Sequence, residues 1–135
     1  MSGMRKKPAI MVIGAKQSDH TGFTKHKKQL IISRKIQGIA TVFLLENNGD
    51  ELRKNELSIV KRGIARCNLI LLLQNAAVGV ALQAAAIAKI HDVNVLIDSE
   101  PMLTLTEKIR RATDQIRHID QKKRVAAKKW RKRHI

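Results

Sequence analysis

Four short apolar runs recur along the chain: Ala9 to Ile13, Ile39 to Leu45, Leu69 to Leu73 and Val93 to Ile97, each bounded by polar residues or Gly. Runs of this length, rich in Ile, Val and Leu and lacking a regular polar alternation, are the pattern of strands buried on both faces. The first three begin thirty residues apart. That interval leaves room for a helix between consecutive parallel strands.

The intervening stretches carry helical spacing. Thr24 to Gln37 places Leu30, Ile31 and Ile36 on one side among Lys25, Lys27, Lys28, Arg34 and Lys35, and it runs into Gly38, a residue suited to ending a helix. The turn Asn47-Asn48-Gly49-Asp50 offers Asp50 as the N-cap of a helix from Glu51 to Arg66, with Leu52, Leu57, Ile59, Val60 and Ile64 as its apolar side. A third helix, Ala76 to Ile90, is nearly all Ala, Val, Leu and Ile, so it is expected to be the most deeply buried. Its small residues allow close packing either within the monomer or against a second copy, so a homodimer through this Ala-rich helix is one of two uses open to it.

The alternation predicts an α/β fold: a three-layer Rossmann-like domain of about four parallel strands with helices on both faces. The expected organisation is a basic N-terminal arm at 1–8, the α/β domain at 9–120 and a basic helical extension at 121–135. Beyond Pro101, Thr104 or Thr106 can cap a last helix whose Leu105, Ile109, Ala112, Ile116 and Ile119 make one apolar stripe. Lys123 interrupts the stripe, yet Ala126 and Trp130 resume its phase. The extension therefore reads as the outer half of one long helix.

Charge narrows the function. Lys and Arg number 27 against 11 Asp and Glu, a formal net charge of +16, and the last fifteen residues hold eight basic side chains and no acid. A block of this kind needs an external polyanion or full hydration. Phe23, Phe43 and Trp130 are the only aromatic residues, too few for stacking platforms that read single-stranded bases. A single Cys67 excludes an intrachain disulfide and suits a reducing compartment. No apolar run approaches the length of a membrane span, and Pro8 to Ile13 is too short for a signal-peptide core, so a cytoplasmic protein without membrane association is expected.

The layout Ile10-Met11-Val12-Ile13-Gly14, a middle strand, Ala65-Arg66-Cys67-Asn68-Leu69-Ile70-Leu71-Leu72-Leu73, a helix and Val93-Asn94-Val95-Leu96-Ile97-Asp98 resembles a family of small, uncharacterised bacterial Rossmann-like domains. The resemblance spans roughly Ala9 to Ala112 and rests on layout. That family usually carries a Ser-His pair after its third strand, where this chain has Asn75-Ala76-Ala77-Val78, so any activity the pair serves is not implied here. Gly38 to Asn48 with Leu52-Arg53-Lys54-Asn55-Glu56 is similar, more distantly, to the central strand and following helix of ribosomal and kink-turn-binding α/β/α proteins. Those proteins carry a Gly-Asn-Glu helix start that Lys35-Ile36-Gln37 does not match.

Ligand crevices of parallel sheets lie beyond the carboxyl ends of the strands. Lys16, Ser18, Asp19, His20, Asn47, Asn48 and Asn75 are the candidate ligand-binding residues there. Neither a GxGxxG nor a P-loop pattern follows the first strand, no histidine has metal-ligand spacing, and no cofactor or metal is implied. The expected function is non-enzymatic binding of DNA or RNA through Lys122, Lys123, Arg124, Lys128, Lys129, Trp130, Arg131, Lys132 and Arg133, assisted by Lys25, Lys27 and Lys28. Contacts would be to phosphate, with little sequence specificity, as part of a nucleoprotein assembly or alone. The alternative is a nucleotide or small-ligand domain, an enzyme among its forms, that uses the sheet-edge loops.

Overall fold

The first apolar run becomes the central strand of the sheet. In the computed structural model, which describes residues 8–15, 30–36, 38–47 and 49–134 with side chains as far as Lys129, strand β1 (Ala9–Gly14) is flanked on both sides. β3 (Ala40–Glu46) and β4 (Leu69–Leu72) pair with it in parallel, Ile10 standing opposite Val42 and Leu69. β5 (Asn94–Ile97) extends the sheet beyond β4, and β2 (Ile31–Ile36) lies outside β3, giving the order β2-β3-β1-β4-β5. The fold is α/β, with five strands and three helices among the described residues.

Alternation of side chains assigns the two faces. Met11, Ile13, Leu45, Ile70 and Leu72 point to one, where α1 (Lys54–Ala65) contributes Val60 and Ile64 and α2 (Val78–Ile90) contributes Val80, Ala84, Ile87 and Ala88. Ile10, Val12, Ala40, Val42, Leu44, Leu69 and Leu71 point to the other, covered by Ile109, Ala112 and Ile116 of α3 (Leu105–His134). Each of these residues thus has a partner layer, as strands buried on both faces require.

Several expectations need correction. The segment read as the end of a helix, Ile31 to Ile36, is β2, the strand missing from a count of four, and it pairs antiparallel with β3 from Ile31 opposite Leu45 to Ile36 opposite Ala40. Ile31, Ile32 and Ile36 are β-branched and lose rotamer freedom in a helix, whereas beside β3 they pack on a pleated surface. Gly38, read as a helix terminator, has φ +76° and instead turns a hairpin closed by the Ile39 N–H to the Ile36 carbonyl at 3.0 Å. Both roles demand the left-handed conformation, so the glycine alone does not choose between them.

The first helix of the sheet's α1/α2 face begins at Lys54, not at Glu51, with Arg53 rather than Asp50 in the capping position. The cause is Leu52, buried in the core and held in an extended segment. Its N–H donates to Gln83 Oε1 at 2.7 Å, and its carbonyl accepts from Gln83 Nε2 at 3.3 Å. α2 is not the deeply buried helix its composition suggests, because Val78, Leu82 and Ile90 face solvent. β5 is likewise an edge strand with Val95 and Ile97 exposed, rather than a strand covered on both faces.

α3 starts with a reciprocal cap at Thr104. The Glu107 N–H donates to Thr104 Oγ1 at 3.2 Å, while Glu107 Oε1 accepts from the Thr104 N–H at 3.2 Å and from its hydroxyl at 2.9 Å. These bonds hold the Glu107 carboxyl below its usual value. The helix then runs unbroken to His134. Cys67 sits between α1 and β4, its thiol donating to the Gly63 carbonyl at 3.3 Å, and burial pushes its pKa up to about 12. Thr104→Ala is expected to lower stability by about 1 kcal/mol, the usual cost of losing such a cap, measured by urea denaturation. Cys67 is expected to resist a disulfide reagent at pH 8 in the folded protein and to react once urea unfolds it; rapid labelling of the folded chain would contradict its burial.

Candidate functional site

The parallel strands run β3-β1-β4-β5, so their winding reverses at β1, and the carboxyl ends of β1, β3 and β4 meet there. Gly14 and Ala15 leave β1 against Asn75, whose Oδ1 accepts the Ala15 N–H at 3.2 Å. A side chain at position 14 would collide with that amide, since a Cβ there would lie 2.8 Å from Asn75 Oδ1. A residue larger than Gly there would make the Asn75 amide shift. Asn47 follows β3, accepting from the Gly49 N–H at 2.6 Å, and its Nδ2 is buried with no hydrogen-bond partner among the described residues.

On the α3 side of this edge, Gly14, Ala15, Leu44, Glu46, Leu73, Leu105 and Lys108 line a cavity of about 220 Å³. Among the described residues lining it Lys108 is the cation, and its Nζ donates to Asp98 Oδ2 at 2.7 Å, with the two side chains 15% and 5% exposed. Asp98 Oδ1 also accepts the Glu100 N–H at 3.0 Å. Burial alone would raise the Asp98 carboxyl, but the Lys108 hydrogen bond, the Glu100 N–H and the Lys108 charge outweigh it and hold it below the ordinary carboxylate value.

Sequence reasoning missed this pair. Its signal was an acid directly after an apolar run, a position where a buried carboxylate needs a cation nearby.

Of the other candidates at this edge, Lys16, Ser18, Asp19, His20 and Asn48 lie outside the described residues, as do Lys25, Lys27 and Lys28. The structure brings both Asn75 and Asn47 to the β1 exit, Asn75 Oδ1 accepting the Ala15 N–H and the Asn47 N–H donating to the Gly14 carbonyl at 3.2 Å. Among the described residues no group of three or more His, Cys, Asp or Glu side chains is placed to hold a metal ion.

The opposite, amino edge of the sheet is where α3 leaves the domain. Its start, Leu105 and Lys108, adjoins the strands' carboxyl ends, whereas Ile116, Ile119 and Lys123 adjoin Asn68 and Asn94 around a polar cavity of about 160 Å³. α3 therefore runs against the parallel strands. Ile116 is the last buried one among its described side chains and Ile119 is half-buried, after which every described side chain from Gln121 to Lys129 is exposed. Lys122, Lys123, Arg124, Lys128 and Lys129 occupy this bare segment on all sides of the helix. The helix axis continues through Trp130, Arg131, Lys132 and Arg133, whose side chains lie outside the described ones. From Gln121 to the end of the helix it extends about 20 Å at 1.5 Å per residue.

Helix formation here draws on several local sources. Asp114 and Arg117 approach at 4.0 Å, Ala126 and Ala127 are strong helix formers, and cations near a helix C-terminus suit its dipole. The chain also enters β1 at this edge, where the Ala9 N–H donates to Asn68 Oδ1 at 2.9 Å, so Arg5, Lys6 and Lys7 precede the same corner in sequence. Arg34 and Lys35, by contrast, lie on β2 at the sheet's far side, so they do not form a helical stripe beside α3.

No family model, curated protein or solved structure matches this chain. No helix among the described residues is long and apolar enough to cross a membrane. Replacing Lys108 by Met is expected to destabilise the fold by about 3 kcal/mol, because Asp98 is left buried without its cation. The lowered Asp98 pKa means its contribution is present above the unfolded carboxylate value, near 4, and is lost as pH falls through the folded value. Denaturation measured from pH 7 to pH 2 should therefore show a stability loss in the native chain that is reduced in Asp98→Asn.

Proposed function

We propose that the protein binds nucleic acid without enzymatic activity, contacting phosphate backbone through the basic outer half of α3. The observation that carries this reading is the bare helix itself: Lys122, Lys123, Arg124, Lys128 and Lys129 project from a segment whose described side chains are all exposed, and no acid follows Asp120. Phosphates opposite such residues release condensed counterions, the dominant sequence-independent term in nucleic-acid affinity.

Beyond Gln121 the extension has no Asn or Gln to read base edges, which favours contacts of low sequence specificity. The preceding turns, anchored through Ile109, Ala112 and Ile116, aim the helix away from the domain. Arg5, Lys6 and Lys7, which precede β1 in sequence, add to the chain's positive charge.

The cavity beside Gly14, Glu46 and Lys108 supports a second reading, a nucleotide or small-ligand site at the carboxyl edge. The two readings separate on one variant. A chain truncated after Asp120 keeps every buried α3 residue and should remain folded by circular dichroism, yet lose most binding to DNA or RNA in an electrophoretic assay. Full-length chain on duplex should show a log-log salt slope of about −5 to −7 if six to eight phosphates are neutralised. A slope near zero, or undiminished affinity after truncation, would overturn the phosphate reading. Stabilisation of the truncated chain by a mononucleotide would favour the cavity.

A further inference from the structure

Most of the strongly exposed large apolar residues lie on α2 and the sheet edge that follows it. Val78 and Leu82 of α2 are 74% and 66% exposed, and Ile97 of β5 is 70% exposed with Val95 partly so. Leu96 packs in the core beneath α3, so its neighbours Val95 and Ile97 stand on the α2 face. Around α2, Val80, Ala84 and Ile87 face the sheet and Gln83 faces Leu52. At roughly 100° per residue this turns Ala81 and Ala85, with Val78, toward the rim above β5.

The rim has open backbone valences. The Asp98 N–H donates to the Leu72 carbonyl at 2.8 Å, so alternation directs the N–H and C=O groups of Val95 and Ile97 away from β4, toward the free edge. Natural sheets blunt such edges with charge. β2 does so with Arg34 and Lys35 exposed, whereas β5 carries no charge at all.

We propose that this flank is a homodimer interface, in which the β5 strands of two copies pair antiparallel about a twofold axis at Leu96. Val95 of each copy then stands opposite Ile97 of the other, and the edge groups satisfy one another in an isologous contact. The two sheets join into one of ten strands.

Spacing, charge and area each select a second copy as the occupant. Strands about 4.8 Å apart place two α2 helices, each seated over its own β4 and β5, at about 10 Å, near the separation of packed helices. Ala81 and Ala85 leave room for that approach. Residues 78–97 carry Lys89 and Asp92 as their only formal charges, a net of zero in a chain of +16. Two copies meeting here therefore bring no net like charge together. The flank of a 13-residue helix, about 20 Å long, and the rim beneath it offer several hundred Å² per copy, approaching the roughly 800 Å² of a standard interface.

The axis stands perpendicular to the joined sheet. Both α3 helices therefore lie on one face and project from opposite ends.

Sedimentation of the full chain at high salt is expected to give about twice the 15.2 kDa chain mass. Leu82→Glu and Ile97→Lys, both at exposed positions, should each weaken dimerisation at least about tenfold, equivalent to 1.4 kcal/mol, while the circular dichroism spectrum is retained. Ser33→Lys on the opposite edge should leave the dimer intact. A chain that stays monomeric through the micromolar range, or a dimer that survives both flank substitutions, would overturn the interface.

Discussion

β1 has no solvent-facing side, and the arrangement of every other element follows from covering it. Ile10 and Val12 on one face and Met11 and Ile13 on the other are fully buried, so a layer is needed above and below. Parallel neighbours on both sides complete its backbone bonds, and the connections between them cannot be tight hairpins. α1 and α2 fill one face. Among the described residues the other is covered by α3, whose Ile109, Ala112 and Ile116 each bury apolar area of the order of 1–3 kcal/mol per large side chain.

That division gives α3 two unlike halves. The inner half is held by packing and by the Thr104 cap, while the outer half has exposed side chains throughout the described positions. Helices of this length are marginal alone in water. The docked turns supply the nucleus from which the basic segment continues. The sheet's two ends are also chemically distinct: the Lys108–Asp98 pair and a cavity occupy the carboxyl edge, and the basic extension departs from the amino edge.

Positions β1, β3 and β4 were legible because their runs are continuously apolar, and the α3 stripe because its spacing persists from Leu105 to Ile119. β2 was not, because Ile31 to Ile36 alternates with Lys and Arg at spacings that fit either a helix or a half-exposed edge strand. Apolar content also misjudged α2 and β5. It reports how much surface a segment would bury, not whether a neighbour exists to bury it. At the carboxyl edge Asn75 was legible as a loop residue following a strand. Lys108 was not, since it belongs to a helix ten residues beyond Asp98 and becomes a partner only when that helix packs back across the sheet.

The sequence by itself determined that β1, β3 and β4 are short buried strands, that a helix follows each of β3 and β4, and that the final helix passes without a break from an apolar stripe into a run of positive charge. Local periodicity and charge composition carry both facts. Only the tertiary structure decided which strand is central, which edges stay open and where the charged helix points. Those depend on strand pairing between distant segments and on which layer each face meets, and neither is encoded in any single stretch of the chain.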